Sequence, residues 1–478
     1  MKTYLTFAAL LALTTAGASG AAVFKSGQAA DVVLGQANFT ASSASSGQPN
    51  RIYTPEGMAM DPTTGKVFVS DSENNRILRF SSAAAAQNGA NPEAVIGQPN
   101  FTAYHVNQGG TVAADTLNFP SQICVDSSGR LWVADDSNNR VLCFYLASYL
   151  DNDPVADLVL GQPNFTTNSS GVTQAKMSSP FCVALGPNDT LWVADASNCR
   201  VLRFDQATQL SSGDNASAVL GQPDYTTNDS TTTAVGMSYT GQVYPDAAGR
   251  LWVADPDNQR ILRFDAAATK ANGAAADGVI GQADFTSFSH GLTASKFYYP
   301  YGVYLDSTGS LWVADYDNGR VLRFGSAASI ATNGTANLVL GQANFTSANT
   351  TASATVIGGP SQISAGPSGS IFVADYDSNR VLRFSPSLPP QPLVTVTGSK
   401  AITTPKATLT LAGKATDANG TLSRVEVKVG SAPYKPATGT SSWTFAAKLA
   451  VGKNTVLVRA VDISTVTSPV VTVVITRK

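Results

Sequence analysis

A segment ending in Gly-Gln occurs six times along the chain: Leu34-Gly35-Gln36, Ile96-Gly97-Gln98, Leu160-Gly161-Gln162, Leu220-Gly221-Gln222, Ile280-Gly281-Gln282 and Leu340-Gly341-Gln342. The spacing is 60 to 64 residues. A repeat of this length constrains the fold more than any single residue does, because each unit must bury its apolar face against copies of itself. One residue after each Gln come Asn or Asp, an aromatic residue and Thr, as in Asn38-Phe39-Thr40. A second motif also occurs six times. One copy reads Leu311-Trp312-Val313-Ala314-Asp315, then Tyr316-Asp317-Asn318-Gly319, then Arg320-Val321-Leu322-Arg323-Phe324. Its Asp recurs as Asp71, Asp135, Asp195, Asp255, Asp315 and Asp375, and its Arg as Arg76, Arg140, Arg200, Arg260, Arg320 and Arg380.

Each unit reads as β. The two halves of the second motif are short runs of β-branched and aromatic residues joined by a four-residue polar turn, which predicts a hairpin. Upstream lies a third run, such as Tyr301-Gly302-Val303-Tyr304-Leu305, and the segment ending in Leu-Gly-Gln is a fourth. Four short strands per unit, repeated six times with Gly and Pro at the junctions, predict propeller blades. The first Leu-Gly-Gln precedes the first hairpin, and none follows the sixth, which ends at Phe384. Six complete sets therefore require Asp31–Gly35 to supply the last strand of the last blade, which removes the open edges of the array. The expected fold is all-β: a six-bladed propeller closed by its N-terminal strand and followed by an immunoglobulin-like sandwich.

A Pro and a Gly before a strand, then Val-Ala-Asp, Asn and Arg-Val or Arg-Ile, resemble the NHL-repeat propellers over residues 30–384. The units here are longer, with the excess between the Phe-Thr after each Leu-Gly-Gln and the next inner strand. Thr240 stands where other units have Pro55, Pro120, Pro180, Pro300 and Pro360. Some six-bladed lyases and lactonases use a metal at the channel. His105 and His290 are the only His residues, too few for a three-His zinc site.

Residues 1–20 read as a signal peptide: Lys2, an apolar run from Tyr4 to Thr15, then the small residues Ala18, Ser19 and Gly20. The expected location is therefore secreted, extracellular or periplasmic. No later stretch is apolar for long enough to span a bilayer. Residues 21–384 make the propeller and 385–392 a Pro-rich linker. Residues 393–478 make the sandwich, with strands expected at 407–411, 422–429, 443–449, 454–462 and 470–475. The net charge of −2 hides an asymmetry: residues 391–478 carry eleven Lys and Arg against three Asp and Glu. No basic cluster has interleaved aromatics, which argues against nucleic acid. The basic tail suits either an acidic envelope polymer or plain solvation.

The repeated Asp and Arg read as a structural pair, since a residue needed in every blade meets a need of every blade. The stretch from Asp315 has Asp-x-Asp spacing, but a calcium loop wants Gly and Glu where Arg320 and Ser326 stand. Inner strands carry Gln122, Gln242 and Gln362 on alternate blades. They form either a ring of amides at one channel mouth or bonds to neighbouring backbone. Glu56 is the sole acidic residue at the mouth of an inner strand, and a lone carboxyl makes no acid–base pair. Cys124, Cys143, Cys182 and Cys199 fall in two neighbouring repeats, either as disulfides or as free buried thiols.

The inter-blade loops, about twenty residues each, are long enough to carry function. Tyr298, Tyr299 and Tyr301 end the fifth loop, beside the turns of Tyr316 and Tyr376. These rings either recognise a partner or pack the loops onto the blades. The expected activity is binding of a protein or glycan on the loop face by a monomer with no cofactor, a cation on the axis being compatible but not indicated. The alternative is a lyase or hydrolase at the channel mouth.

Overall fold

The Leu-Trp-Val-Ala run and its hairpin partner are apolar on both faces rather than alternating, so a sheet built from them must be covered on both sides. In the computed structural model they pair in register, with Leu311 opposite Phe324, Val313 opposite Leu322 and Asp315 opposite Arg320. The model describes residues 23–84, 86–330, 332–387, 391–417, 422–463 and 466–478. The expected signal segment and residues 388–390 of the expected linker lie outside them. The chain divides into two compact units: residues 24–385, and Val23 with residues 386–478.

Among the described residues the first unit holds six sheets of four antiparallel strands. One comprises Pro300–Leu305, Ser310–Asp315, Arg320–Ser326 and Leu338–Leu340. In another, Pro360–Ala365, Ile371–Asp375 and Arg380–Phe384 are completed by Val32–Leu34 from the far end of the unit. There Val32 lies opposite Arg383, Val33 opposite Leu382 and Leu34 opposite Val381. The first strands of the sheets touch in cyclic order: Met58–Met60, Pro120–Val125, Pro180–Gly186, Val243–Pro245, Pro300–Leu305, Pro360–Ala365 and Met58–Met60 again. A separate apolar core fills each gap between neighbours. In the gap between the last sheet and the first, Val32, Leu34, Phe372 and Val381 pack on Ile52, Val69 and Leu78.

The repeated glycine has a steric reason. Gly35, Gly97, Gly161, Gly221, Gly281 and Gly341 all have φ between +80 and +90°. A Cβ there would strike Ile52, Leu117, Met177, Met237, Phe297 or Ile357 respectively. Only glycine combines that backbone with the close packing of the next residue in the loop.

The second unit has a three-stranded sheet (Leu393–Val396, Thr408–Thr416, Ser442–Lys448). Its other sheet has five strands (Ala401–Thr404, Val471–Arg477, Gly452–Asp462, Leu422–Val429, Lys435–Pro436). Val394, Leu411, Val425, Trp443, Val456 and Ile475 form one core shared by both sheets. Three short strands lie outside the five expected. Leu393–Val396 and Ala401–Thr404 bury one residue each, and Lys435–Pro436 buries none. They carry too little apolar alternation to be read. No helix among the described residues is long and apolar enough to cross a membrane.

Candidate functional site

Each hairpin turn is built around a buried ion pair. Arg Nε lies 2.6 to 2.8 Å from Asp Oδ2 in all six copies, with both side chains fully buried. The other Asp oxygen accepts a backbone N–H from the loop, as from Ser178 to Asp195 at 2.7 Å. The guanidinium then clamps two successive loops. Arg200 donates to the Tyr225 carbonyl at 2.7 Å and to those of Thr173 and Lys176 at 2.8 and 2.9 Å. The Gln of Leu-Gly-Gln is a second clamp: Gln282 Nε2 donates to the Gln259 carbonyl in the turn and to the Ser289 carbonyl in the loop, at 2.9 and 3.0 Å. The six Asp–Arg pairs are thereby committed to the fold, and each repeated Gln spends its amide N–H groups on backbone.

The clamped loops and turns surround a cavity of about 190 Å³ at the loop end of the inner strands. Its walls come from three positions of the repeat at which the copies differ. The residue after Pro supplies Glu56, Ser121, Phe181, Tyr301 and Ser361; the residue before Pro, or before Thr240 in its place, supplies Phe119 and Tyr239. The residue after the repeated Asp supplies Asp136, Tyr316 and Tyr376. Tyr239, Phe181, Tyr301, Tyr316 and Tyr376 form a continuous arc of rings with successive centroids 5.2 to 6.1 Å apart. The Tyr316 hydroxyl donates to Asp377 Oδ1 at 2.9 Å.

Two carboxyls share the cavity. Glu56 is only 8% exposed. Burial, and then the charge of Asp136, push its pKa up to about 8. Burial and the neighbouring Asp135 carry Asp136 up to about 7, against hydrogen bonds from Ser137, Ser179 and Ser121. Burial raises Tyr239, Tyr301 and Tyr316, and takes Tyr376 up to about 12, so the phenols stay protonated.

Of the five tyrosines singled out in the sequence, Tyr301, Tyr316 and Tyr376 come together in this cavity. Tyr298 and Tyr299 do not line it. Tyr298 stacks on His290 at 4.3 Å, and Tyr299, at φ +50°, lies 6.4 Å from Tyr301. The three glutamines make no ring at a mouth, because each is buried and bonds backbone on another sheet, Gln122 through its amide N–H alone. Gln122 donates to the Ser361 carbonyl at 3.2 Å. Gln242 donates to Ile363 and accepts from the Val303 N–H, and Gln362 accepts the Met58 N–H. Gln242 and Gln362 instead border a second cavity of about 230 Å³ with Cys124 and Cys182. Cys124, Cys143, Cys182 and Cys199 are all free thiols, so the disulfide alternative does not hold. Burial pushes Cys182 up to about 12 and Cys199 up to about 11. Among the described residues no three His, Cys, Asp or Glu converge.

Sequence reasoning missed Asp136, Phe119, Phe181 and Tyr239. The available signal was departure from the repeat: Asp136 stands where the other copies carry Ser72, Ala196, Pro256, Tyr316 and Tyr376.

The NHL repeat family matches residues 53–80, 117–144 and 297–324. Teneurin-3 of Mus musculus is 23% identical over 305 residues, covering 58% of this chain and 10% of its own length. Teneurin-m of Drosophila melanogaster is 26% identical over 221 residues, 43% of this chain and 8% of its own. The chain thus spans about a tenth of the length of these curated relatives. Among solved structures, a streptogramin B lyase aligns with a TM-score of 0.40 at 16% identity, covering 73% of this chain and 82% of its own. Regucalcin, a calcium-binding protein from Agrobacterium tumefaciens, aligns with a TM-score of 0.39 at 13% identity, covering 74% and 96%. The matched segments are NHL repeats, and the sheets that contain them form a β-propeller.

Proposed function

We propose that this chain is a secreted, monomeric, six-bladed NHL-repeat propeller that binds a protein or glycan partner through its loop face. The observation that carries the reading is the loop-end cavity: its walls come from the positions where the repeats differ, inside a frame of positions where they agree. A scaffold that repeats its clamps and varies its rim keeps the fold while specialising one surface. The pairing of Val32–Leu34 with Arg380–Phe384 and the cyclic contacts of the inner strands support closure with six blades. The two sheets over one core support an immunoglobulin-like sandwich in the C-terminal part of the chain. The excess of Lys and Arg there suits docking to an acidic envelope polymer.

The test is a glycan array and a direct binding assay with the intact protein, run beside Tyr316→Ala and Tyr376→Ala. We expect both variants to weaken partner binding at least tenfold with unchanged thermal unfolding; unchanged binding in both removes the cavity from the reading. One observation favours a second reading, a hydrolase or lyase at the channel mouth: Glu56 and Asp136 form the carboxyl pair that acid–base chemistry needs, with Glu56 protonated at neutral pH. Turnover of an aryl glycoside panel that vanishes in Glu56→Gln would favour it.

A further inference from the structure

We propose that the loop-end cavity binds an ammonium group, with Glu56 as its counter-ion and the arc of aromatic rings as its walls. The inference rests on the reading of that cavity as the binding site, and it names the chemistry the cavity would take. Glu56 is 92% removed from solvent, yet its carboxyl accepts no hydrogen bond from any described residue. A buried carboxyl facing an open cavity without a partner is completed by a ligand that brings the charge or the protons it lacks. Among the described residues no cation lines the cavity. The two charged residues on the walls, Glu56 and Asp136, are both acidic. Arg140 below them is spent on Asp135 and on the carbonyls of Phe165, Ala113 and Thr116. Those acids repel anionic ligands such as phosphates and uronic acids. The rings suit a cation, because aromatic faces attract ammonium groups. The volume, about 190 Å³, holds one headgroup rather than a drug-sized ligand.

The groups facing Glu56 are Asp136 and the phenols of Tyr239, Tyr301, Tyr316 and Tyr376. Behind them lie Asp135, Asp257, Glu73 and Asp377. None of these is basic, so nothing but the ligand or a proton neutralises the site. Below its raised pKa Glu56 is neutral, and a permanent cation must wait for the ionised fraction.

Calorimetry on the full-length protein tests this with choline, a 2-aminoethyl glycoside of N-acetylglucosamine and two neutral counterparts, 3,3-dimethyl-1-butanol and N-acetylglucosamine. We expect choline to bind, with affinity rising roughly tenfold per pH unit between pH 6 and 8 and levelling near pH 9. We expect the neutral counterparts to bind at least tenfold more weakly at pH 8. Glu56→Gln is expected to remove the pH dependence and at least tenfold of the choline affinity. Tighter binding of choline points to a free quaternary amine, and of the aminoethyl glycoside to an amine-bearing glycan. Equal affinity for charged and neutral ligands, or a flat pH profile in the unsubstituted protein, overturns the proposal whatever the variant does. If the neutral ligands still lose affinity in Tyr316→Ala and Tyr376→Ala, the cavity remains the binding site and only the ammonium assignment falls.

Discussion

Replacing Arg200 by Ala tests whether the repeated ion pairs are structural. Arg200 Nε lies 2.7 Å from Asp195 Oδ2, and neither side chain is exposed. Removing one member of a buried pair strands the other charge, at about 3–5 kcal/mol. The carbonyls of Tyr225, Thr173 and Lys176 also lose their donor. Each of these left dry adds about 1 kcal/mol, and water reaching the loops recovers part of it. Against a total stability of about 5–15 kcal/mol, the loss brings the propeller near its unfolding threshold. The pH dependence has a defined sign. Burial already holds the folded pKa of Asp195 above its ordinary value despite Arg200, and loss of Arg200 raises it further. The native state then binds more protons than the unfolded one between the two pKa values, so stability falls as pH rises through that window. The deficit is therefore largest at pH 8 and smaller at pH 5. Urea unfolding followed by the fluorescence of the blade tryptophans measures it at both pH values. The more exposed Arg263–Asp265 pair of the same unit is the control, and Asp265→Asn is expected to cost less than about 1 kcal/mol. A loss below about 1 kcal/mol for Arg200→Ala, or a larger loss at pH 5 than at pH 8, would refute the argument.

Gly281→Ala should lower the melting temperature of the propeller, since φ is +90° and the new methyl meets the Phe297 ring. The backbone strain alone is about 1–3 kcal/mol, and an unchanged melting curve would contradict the steric reason for the repeated glycine. Deleting residues 23–35 should expose the Arg380–Phe384 strand edge and open the core in which Val32 and Leu34 pack. Faster proteolysis near Phe384 and self-association on gel filtration are expected, and an unaltered urea midpoint with monomeric elution would sink the closure argument.

What could be read from the chain was what acts over short distances or repeats. Asp195 and Arg200 flank a single turn, so their pairing is written in their spacing. The hairpin strands announce themselves because their central runs, Leu311–Ala314 and Val321–Leu322, are apolar on both faces. The positive-φ glycine is legible for the same reason: the turn needs it in every copy.

The cavity was not legible, because its residues come from different sheets. Glu56 enters from the first, Asp136 from the second, Tyr301 and Tyr316 from the fifth and Tyr376 from the last. Spacing along the chain says nothing about that convergence; the cyclic packing of the inner strands creates it. Neighbours in sequence part company there as well. Tyr301 sits on a strand and faces the cavity, while Tyr298, three residues earlier, is turned by the loop onto His290. The fate of Gln122, Gln242 and Gln362 was likewise a tertiary matter, since their partners lie on other sheets. Local chemistry dictates strands, turns and clamps, whereas the burial that raises Glu56 exists only once the sheets have packed around their common axis.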